Sequence, residues 1–253
     1  MKFTTIADAK RQSGLSYLGN VNHSVKHKKN YNYTEAVYGL YLAPAAMSGY
    51  NVCPKSNAEC RALCLNESGR NKMNATNQIN NSRIKKTKLF FEHREFFMEW
   101  LIAEIKYYKS KADKNKHHFS IRLNNTSDLS PEQFNINIDG KNKNILEIFP
   151  DIQFYDYTKV DNRIKLVEKY KNYDLTFSYD GYNWDICEKM LKNNIRVAVV
   201  FHKQLPPTWN GYEVINGDLY DVRFNDEKNV IVGLKFKYVR NKLNKNNNFV
   251  VQV

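Results

Sequence analysis

The chain contains 253 residues, of which 42% are hydrophobic and 13% aromatic. This content is enough to build a core, and the length suits one large domain because α/β barrels commonly reach this size undivided. Lys and Arg outnumber Asp and Glu by 39 to 26, which gives a net charge of +13. No apolar run approaches the length of a membrane span, so the composition indicates a globular protein and excludes a transmembrane one.

The positive charge has two interpretations. A surplus of Lys and Arg favours nucleic acid or another polyanion as a partner. A chain rich in Lys and Asn is also what an AT-rich genome encodes, and in that case the charge says nothing about partners. The sequence leaves both interpretations open.

The N-terminus and the cysteines predict the compartment. Residues 1–8 lack the apolar run of a signal peptide. Four cysteines are too few for a disulfide scaffold in a chain of this length. We therefore expect a reducing cytoplasm and no membrane association, and in that compartment clustered cysteines point to metal binding or catalysis.

The predicted elements divide the chain into three parts. Residues 1–36 are predicted to form a basic N-terminal arm or cap, and residues 240–253 a polar basic tail. Between them, residues 37–239 are predicted to form one α/β domain. Its predicted strands, in chain order, are 37–43, 118–123, 152–155, 175–177, 196–201, 214–215 and 230–235, and its predicted helices are 84–109, 145–149, 163–170 and 184–192. Strands that alternate with helices predict βαβ units and a mainly parallel sheet, in the form of a partial or complete TIM-like barrel.

Three of the four cysteines, Cys53, Cys60 and Cys64, follow the first strand of this domain within a dozen residues. Three thiolates that converge would hold an iron–sulfur cluster with one open iron position. Cys60 and Cys64 are four residues apart, so we expect both on one face of a short helix that ends at Gly69.

Two other interpretations of the cysteines remain open. A structural zinc site normally needs a fourth ligand. The candidates, all distant in sequence, are Cys187, His93, His117, His118 and His202. The three thiols could also be ordinary buried side chains, and Cys187 is predicted to pack in the core of its helix.

Polar residues follow each predicted strand, and in such folds the reactive groups gather at the carboxyl edge of the sheet. We predict catalytic roles for Asp128, Asp156, Lys159 and Ser178, and cofactor-binding roles for Asn124 and Asn183 beside the three cysteines. Asp156 and Lys159 could instead form a structural ion pair. Later polar residues of the same kind are Asp218, Asp221 and Arg223.

A second basic segment precedes the long predicted helix. It contains Arg83, Lys85, Lys86 and Lys88, with Arg70 and Lys72 nearby. Contact with a phosphate or polyanion is one interpretation, and a solvated helix start is the other. The sequence contains no Walker-type loop, dinucleotide fingerprint or Ser/His/Asp signature.

Together these blocks resemble the phage gene-product-88 family of tailed bacteriophages and mobile elements. The segments that carry the resemblance are Gly39–Pro44, the cysteine loop with Gly69 and Arg70, Arg122–Asp128, Phe154–Lys159, Thr176–Ser178, Val197–Phe201, Asn216–Asp218 and Val232–Lys235. The resemblance covers about residues 37–235 and implies a phage or plasmid protein that works in a bacterial cytoplasm. It implies no particular reaction.

The architecture is also similar to that of the radical S-adenosylmethionine enzymes, in which a cysteine loop after the first strand of a partial barrel carries a cluster. That similarity implies a [4Fe-4S] cluster and S-adenosylmethionine as a cosubstrate. Those enzymes usually show CxxxCxxC, whereas Cys53, Cys60 and Cys64 are separated by six and three residues.

We therefore expect a metalloenzyme in which Cys53, Cys60 and Cys64 bind a [4Fe-4S] cluster and the open iron binds a substrate or S-adenosylmethionine. The substrate would be a small molecule or a nucleic acid. The alternative is a nucleic-acid-binding phage protein in which the cysteines form a structural zinc or iron–sulfur site.

Overall fold

The computed structural model describes residues 2–22, 25–31, 34–67, 77–237 and 247–253. Several sequence predictions fall outside these residues. They are the helix end at Gly69, the basic residues Arg70 and Lys72, and residues 240–246 of the predicted tail.

The described residues form eight α-helices and twelve strands. The helices are α1 (Ile6–Ser13), α2 (Val25–Tyr31), α3 (Ala58–Ala62), α4 (Gln78–Glu92), α5 (Arg94–Lys114), α6 (Ile145–Ile148), α7 (Ile164–Lys169) and α8 (Trp184–Lys192). The strands are β1 (Gly19–Val21), β2 (Glu35–Leu40), β3 (His118–Arg122), β4 (Asn135–Ile138), β5 (Lys141–Asn144), β6 (Gln153–Thr158), β7 (Tyr173–Ser178), β8 (Arg196–Phe201), β9 (Thr208–Trp209), β10 (Tyr212–Asn216), β11 (Ile231–Lys235) and β12 (Val250–Val251).

Ten of these strands form one sheet, and its central six lie side by side in chain order: β2, β3, β6, β7, β8 and β11. Every pairing among these six is parallel. The mixed α/β class and the mostly parallel sheet are therefore confirmed. Within the described residues the sheet runs from β1 to β9 as an open path, so a closed TIM-like barrel is not confirmed.

Strands near both ends of the described chain also belong to this sheet. Strand β1 pairs antiparallel with β2, and Leu18 before it is fully buried. Strand β12 pairs parallel with β8. The predicted boundary after residue 36 therefore falls inside β2, and part of the predicted tail completes the sheet.

One face of the sheet is covered by helices. Phe97, Trp100 and Leu101 of α5 pack in the same core as Ile121 and Phe154 of the strands. The sequence predicts one helix over 84–109, but the structure has two, α4 and α5, which meet at His93 (φ −136°, ψ 57°). Of the helices that the structure describes, none combines the length and the apolar character needed to cross a bilayer.

The opposite face, which we call the charged face, carries buried ion pairs beside a small apolar cluster. Side chains alternate along a strand, so β7 directs Tyr173, Leu175 and Phe177 to the helices and the residues between them to the charged face. There Asp174 of β7 meets Arg196 of β8 in a buried ion pair of 2.8 Å. Residues 217–230, which connect β10 to β11, also contribute to this face through Val222.

Candidate functional site

A cavity of about 270 Å³ opens where the parallel strands end. Its walls come from the cysteine loop after β2, the ends of β3, β6, β7, β8 and β11, helix α2 and Phe249 before β12. This is the carboxyl edge at which ligands bind in parallel α/β folds. Seven of the nine predicted site residues line it, namely Cys53, Cys60, Cys64, Asn124, Asp128, Lys159 and Ser178.

The cysteine loop is held against the end of β3. The Cys53 thiol accepts a hydrogen bond from the Ala45 backbone N–H (3.3 Å) and donates one to the Thr126 carbonyl (3.9 Å). The Asp128 N–H donates to the carbonyl of Val52 (2.7 Å). These contacts fix Cys53 at the cavity wall.

Helix α3 carries Cys60 but not Cys64. Asn57 caps the helix by accepting a hydrogen bond from the Cys60 N–H (2.8 Å). The helix ends at Ala62, because the next residue, Leu63, leaves helical geometry (φ −105°, ψ 19°). The prediction that Cys60 and Cys64 share one helix face is therefore wrong.

The three thiols are reduced and partly buried. Burial raises the pKa of Cys53 to about 12, with a smaller contribution from the nearby Cys64. Burial also raises the pKa of Cys64, against which Arg83 and Lys159 act as nearby cations. Without a bound metal, Cys53 and Cys64 are neutral thiols at physiological pH.

The described thiols do not form a ready metal site. Among the described residues, no group of three or more His, Cys, Asp or Glu side chains is arranged to hold a metal ion. The structure therefore brings the three cysteines to one cavity without building a formed metal site.

Asp128 is engaged by neighbouring donors. Its Oδ1 accepts hydrogen bonds from Thr158 Oγ1 and Arg163 Nη1, both at 2.7 Å, and its Oδ2 accepts one from the Lys159 N–H (2.9 Å). The Arg163 side chain is buried, so this pair fixes the strand ends against each other. Asp128 has little capacity left to act as a base.

Asp156 lies behind the cavity and does not line it. The alternation of β6 turns this side chain to the helix-covered side. There its carboxylate accepts hydrogen bonds from the backbone and side-chain nitrogens of Asn124 (3.0 and 2.9 Å). Burial raises the pKa of Asp156 to about 6. Asp156 thus positions Asn124, and no ion pair joins it to Lys159.

Lys159 and Asn183 have different positions at this edge. The Lys159 Nζ lies 5.6 Å from the ring centroid of Phe249, over the cavity. Asn183 does not line the cavity: it donates to the Ser178 carbonyl (3.1 Å) and accepts from the Asp180 N–H (2.9 Å). Asn183 therefore shapes the loop after β7.

A second wall of the cavity, which we call the basic wall, is built around Arg122. Its Nη1 donates to both oxygens of Asp221 (2.8 and 2.9 Å), and Asp221 also meets His27 Nε2 (3.2 Å) and Tyr155 OH (2.8 Å). Burial opposes ionisation of Asp221, but Arg122 and His27 outweigh it and hold the pKa of Asp221 well below its usual range.

The basic wall continues through Asp218. Its Oδ1 pairs with Lys26 (3.3 Å) and Lys237 (3.0 Å), and its Oδ2 accepts the Lys235 N–H (2.7 Å). Asp218 and Asp221 are candidate polar residues in the sequence, whereas Lys26, Arg122 and Lys235 have no predicted role. The alternation of β3 was a signal for Arg122, since it shares a face with Ser120 and not with Ile121.

The C-terminal segment is fastened to the cysteine loop. Glu59 of α3 accepts hydrogen bonds from the N–H groups of Asn248 and Phe249, both at 2.9 Å, and from Tyr182 OH (2.6 Å). We call this set the Glu59 latch. It holds Phe249 over the cavity beside Lys159.

The basic segment before α5 is only partly solvent-facing. Lys86 is buried, its Nζ lies 4.3 Å from the ring centroid of Tyr17, and burial lowers its pKa to about 7. Arg83 lies over the ring of Tyr41 (5.3 Å). Lys85 and Lys88 are exposed, so only half of this predicted basic face is available to a polyanion.

Comparison with known proteins gives one informative result. No curated protein and no solved structure matches the chain. The model of the family described as gene product 88 matches residues 10–251, which is nearly the whole chain. The match includes both the cysteine loop and the basic wall, and it confirms the family resemblance that the sequence blocks indicate. The chain therefore belongs to the gene product 88 family.

Proposed function

We propose that this protein is a metalloenzyme in which Cys53, Cys60 and Cys64 hold a [4Fe-4S] cluster with one open iron position. The observation that carries the proposal is that all three thiols lie on the wall of one cavity at the carboxyl edge of the sheet. Three thiolates are the donor set that leaves one iron of such a cluster free.

The donor set favours a cluster over zinc. A structural zinc site would need a fourth protein ligand. Of the five side chains that the sequence offers for this role, Cys187, His93, His117, His118 and His202, none lines the cavity. The carboxylate nearest in the fold, Asp128, is engaged by Arg163.

Cluster binding requires a local rearrangement. The three side chains must turn toward a common point, and the neutral thiols of Cys53 and Cys64 must lose their protons. The loop around Cys53 already supplies a backbone donor, the Ala45 N–H, and hydrogen bonds to the sulfurs tune the reduction potential of clusters.

When bound, the open iron would serve as a Lewis acid or as an electron donor toward a substrate or S-adenosylmethionine. The chain's own residues surround this position. Lys159 places a cation beside the thiols, and Ser178 lies at the end of β7. Asn124, fixed by Asp156, lies on the wall with Asp128. These residues would orient the substrate, while Phe249 limits the access of water.

The test is metal and sulfide analysis of protein prepared without oxygen and reconstituted with iron and sulfide. We expect a brown protein with about four irons and four sulfides per chain. Cys53→Ser, Cys60→Ser and Cys64→Ser should each lose most of this iron. Cys187→Ala is the matched control, since Cys187 is fully buried in the core under α8 and should leave the iron unchanged. A colourless protein that holds zinc and gains nothing on reconstitution would overturn the proposal.

S-adenosylmethionine is the cosubstrate that we propose on the architectural similarity alone. The six parallel strands in chain order support that similarity, and the cysteine spacing departs from it. Reduction of the reconstituted protein with dithionite in the presence of S-adenosylmethionine should release methionine and 5′-deoxyadenosine. If neither product forms while the cluster is intact, the open iron binds another ligand.

Nucleic-acid binding is the second candidate, supported by the net charge of +13. In that function the cysteines would form a structural zinc or iron–sulfur site. Affinity for DNA or RNA should then fall steeply between 50 and 200 mM salt, because binding releases counterions. Weak binding without salt dependence would leave the charge as an effect of composition.

A further inference from the structure

The cavity is lined by a basic wall as well as by the thiols, and binding of a cluster by the cysteines does not explain the basic wall. The three thiols lie on one wall, and the basic wall, with Arg122, Lys26 and Lys237, faces the same space. The thiols belong to one loop, whereas the basic wall combines residues from both halves of the chain. A ligand in the cavity would contact both walls.

The carboxylates of the cavity are already neutralised. Asp128 is paired with Arg163, and Asp221 is paired with Arg122 and His27. Asp218 is paired with Lys26 and Lys237. Among the lining residues that the structure describes, no carboxylate is therefore available to balance a further cation.

One lining lysine remains without such a partner. Lys159 lines the cavity and forms no ion pair with any residue of the described ranges. Lys235 contributes its backbone N–H, which donates to Asp218, whereas its side chain has the same parity on β11 as the core residue Ile231. Among the described residues the cavity therefore has four cationic side chains, Lys26, Arg122, Lys159 and Lys237, against three carboxylates. The surplus is positive, and a partly enclosed space keeps charges poorly screened.

One edge of the Arg122 guanidinium is available to donate hydrogen bonds. Its Nη1 is used by Asp221, whereas its Nε is buried without a hydrogen-bond partner in the described part of the chain. The guanidinium lies 4.5 Å from the ring centroid of Tyr157, which holds it flat, and its side chain is 13% exposed. A planar guanidinium with a free edge suits a carboxylate or phosphate group.

We propose that the cavity binds a small anionic molecule, with its carboxylate or phosphate group on Arg122 and with Lys159 attracting it toward the thiols. This inference rests on the proposed function for the identity of the cavity as the reaction site, and it adds the class of substrate. It also gives the basic wall a role distinct from that of the cysteines. The binding itself needs no cluster.

The test measures anion binding by isothermal titration calorimetry on metal-free protein at low ionic strength. The probes are inorganic phosphate and pyrophosphate in one series and acetate and malonate in the other, so the two anion chemistries are distinguished. We expect saturable binding of one member per chain. Lys159→Met should weaken it about tenfold, the effect of losing about 1.4 kcal/mol.

Control variants distinguish anion binding at a defined site from non-specific attraction to the positive charge of the protein. Lys106→Met removes an exposed lysine of α5 and should leave the affinity unchanged. Arg122→Lys keeps the charge that pairs with Asp221 but loses the planar fork, so it should weaken binding more than Lys106→Met does. The inference is overturned if no probe saturates, or if Lys106→Met lowers the affinity as much as Lys159→Met.

The two proposals fail in different ways. Loss of anion binding in a protein that still assembles its cluster removes only the substrate class. Absence of a cluster in a protein that still binds the anion, with the expected variants weakened, removes only the metalloenzyme proposal.

Discussion

The two faces of the central sheet differ in the balance of apolar and charged side chains that they bury. On the helix-covered face, Phe154, Leu175 and Val197 pack among aromatic and aliphatic residues. On the charged face, Arg122 and Arg196 are held by carboxylates. Because strand side chains alternate, each strand serves both environments.

The difference shows where stability and chemistry reside. Burial of apolar area on the helix-covered face contributes about 25 cal/mol per Å². Buried ion pairs on the charged face cost desolvation free energy, and their net contribution to stability is small. A fold that keeps charges there retains a surface that can recognise a polar ligand. The cavity opens at the end of this same face.

The largest expected effect comes from removing a buried carboxylate from the charged face. Asp221→Ala leaves Arg122 and His27 without their carboxylate, so we expect a loss of about 3–5 kcal/mol in the free energy of unfolding, measured by urea denaturation. The double variant Arg122→Met with Asp221→Leu should recover most of this loss, because no unpaired charge remains. A loss below about 1 kcal/mol for Asp221→Ala would contradict the buried network.

Buried carboxylates on the two faces should make the stability depend on pH in opposite directions. Asp156 has a pKa of about 6 against a usual value of 3.8, so the folded state binds its proton more strongly than the unfolded chain does. Its contribution to stability is therefore lost as pH rises from about 4 to 6, and it amounts to about 3 kcal/mol for a shift of about two units.

Asp156→Asn should therefore gain stability relative to the wild type across this pH range, as measured by urea denaturation at several pH values. Asp221 has the opposite sign: its lowered pKa stabilises the fold above the unfolded pKa, and the contribution is lost as pH falls through the folded value. Asp151→Asn, an exposed control, should show neither trend. Parallel curves for wild type and Asp156→Asn would refute the assignment.

A smaller effect is expected from a substitution on the helix-covered face. Ile121→Val removes one buried methylene from β3, directly beside Arg122, and should cost about 0.5–1.5 kcal/mol. The measurement is urea denaturation together with the anion titration described above. Because Ile121 faces the helices, anion affinity should stay at the wild-type value. A matching loss of affinity would mean that the two faces are not independent.

The smallest effect concerns the Glu59 latch. Glu59→Gln weakens the hydrogen bonds to Asn248 and Phe249, so we expect at most about 1 kcal/mol of lost stability. Alkylation of Cys60 and Cys64 by iodoacetamide, followed by mass spectrometry, should become faster because Phe249 no longer covers the cavity. Glu188→Gln changes a side chain of α8 that is 42% exposed, and it should leave the rate unchanged. An unchanged alkylation rate in Glu59→Gln would mean that the Glu59 latch does not control access to the thiols.

Much of the fold was predictable because its strands carry strong local patterns. The apolar run of residues 196–201 predicts β8 to the residue, and Trp184–Lys192 predicts α8. Two hairpins were missed although their turns had a signal. Asp139-Gly140 and Asn210-Gly211 join β4 to β5 and β9 to β10 with positive φ at both residues, as two-residue hairpin turns require.

The site was less predictable, and the reason is distance in sequence. Polar residues that follow strands gave Asn124, Asp128 and Lys159, because the carboxyl ends of parallel strands share one edge. The partnership of Arg122 with Asp221 joins residues 99 positions apart, which no local pattern reveals. The position of Asp156 could have been anticipated, since it has the same parity on β6 as the apolar Phe154.

The cavity is lined by side chains that begin at residue 26 and end at residue 249. Any molecule held there ties the first and last parts of the fold together, and so resists unfolding of the whole domain. A ligand at about 100 times its Kd stabilises the folded state by about 2.7 kcal/mol, whatever its chemistry. For a domain of this size that corresponds to a rise in Tm of roughly 5–10 °C. A melting-temperature screen of metabolites can therefore identify the natural ligand before the reaction is known.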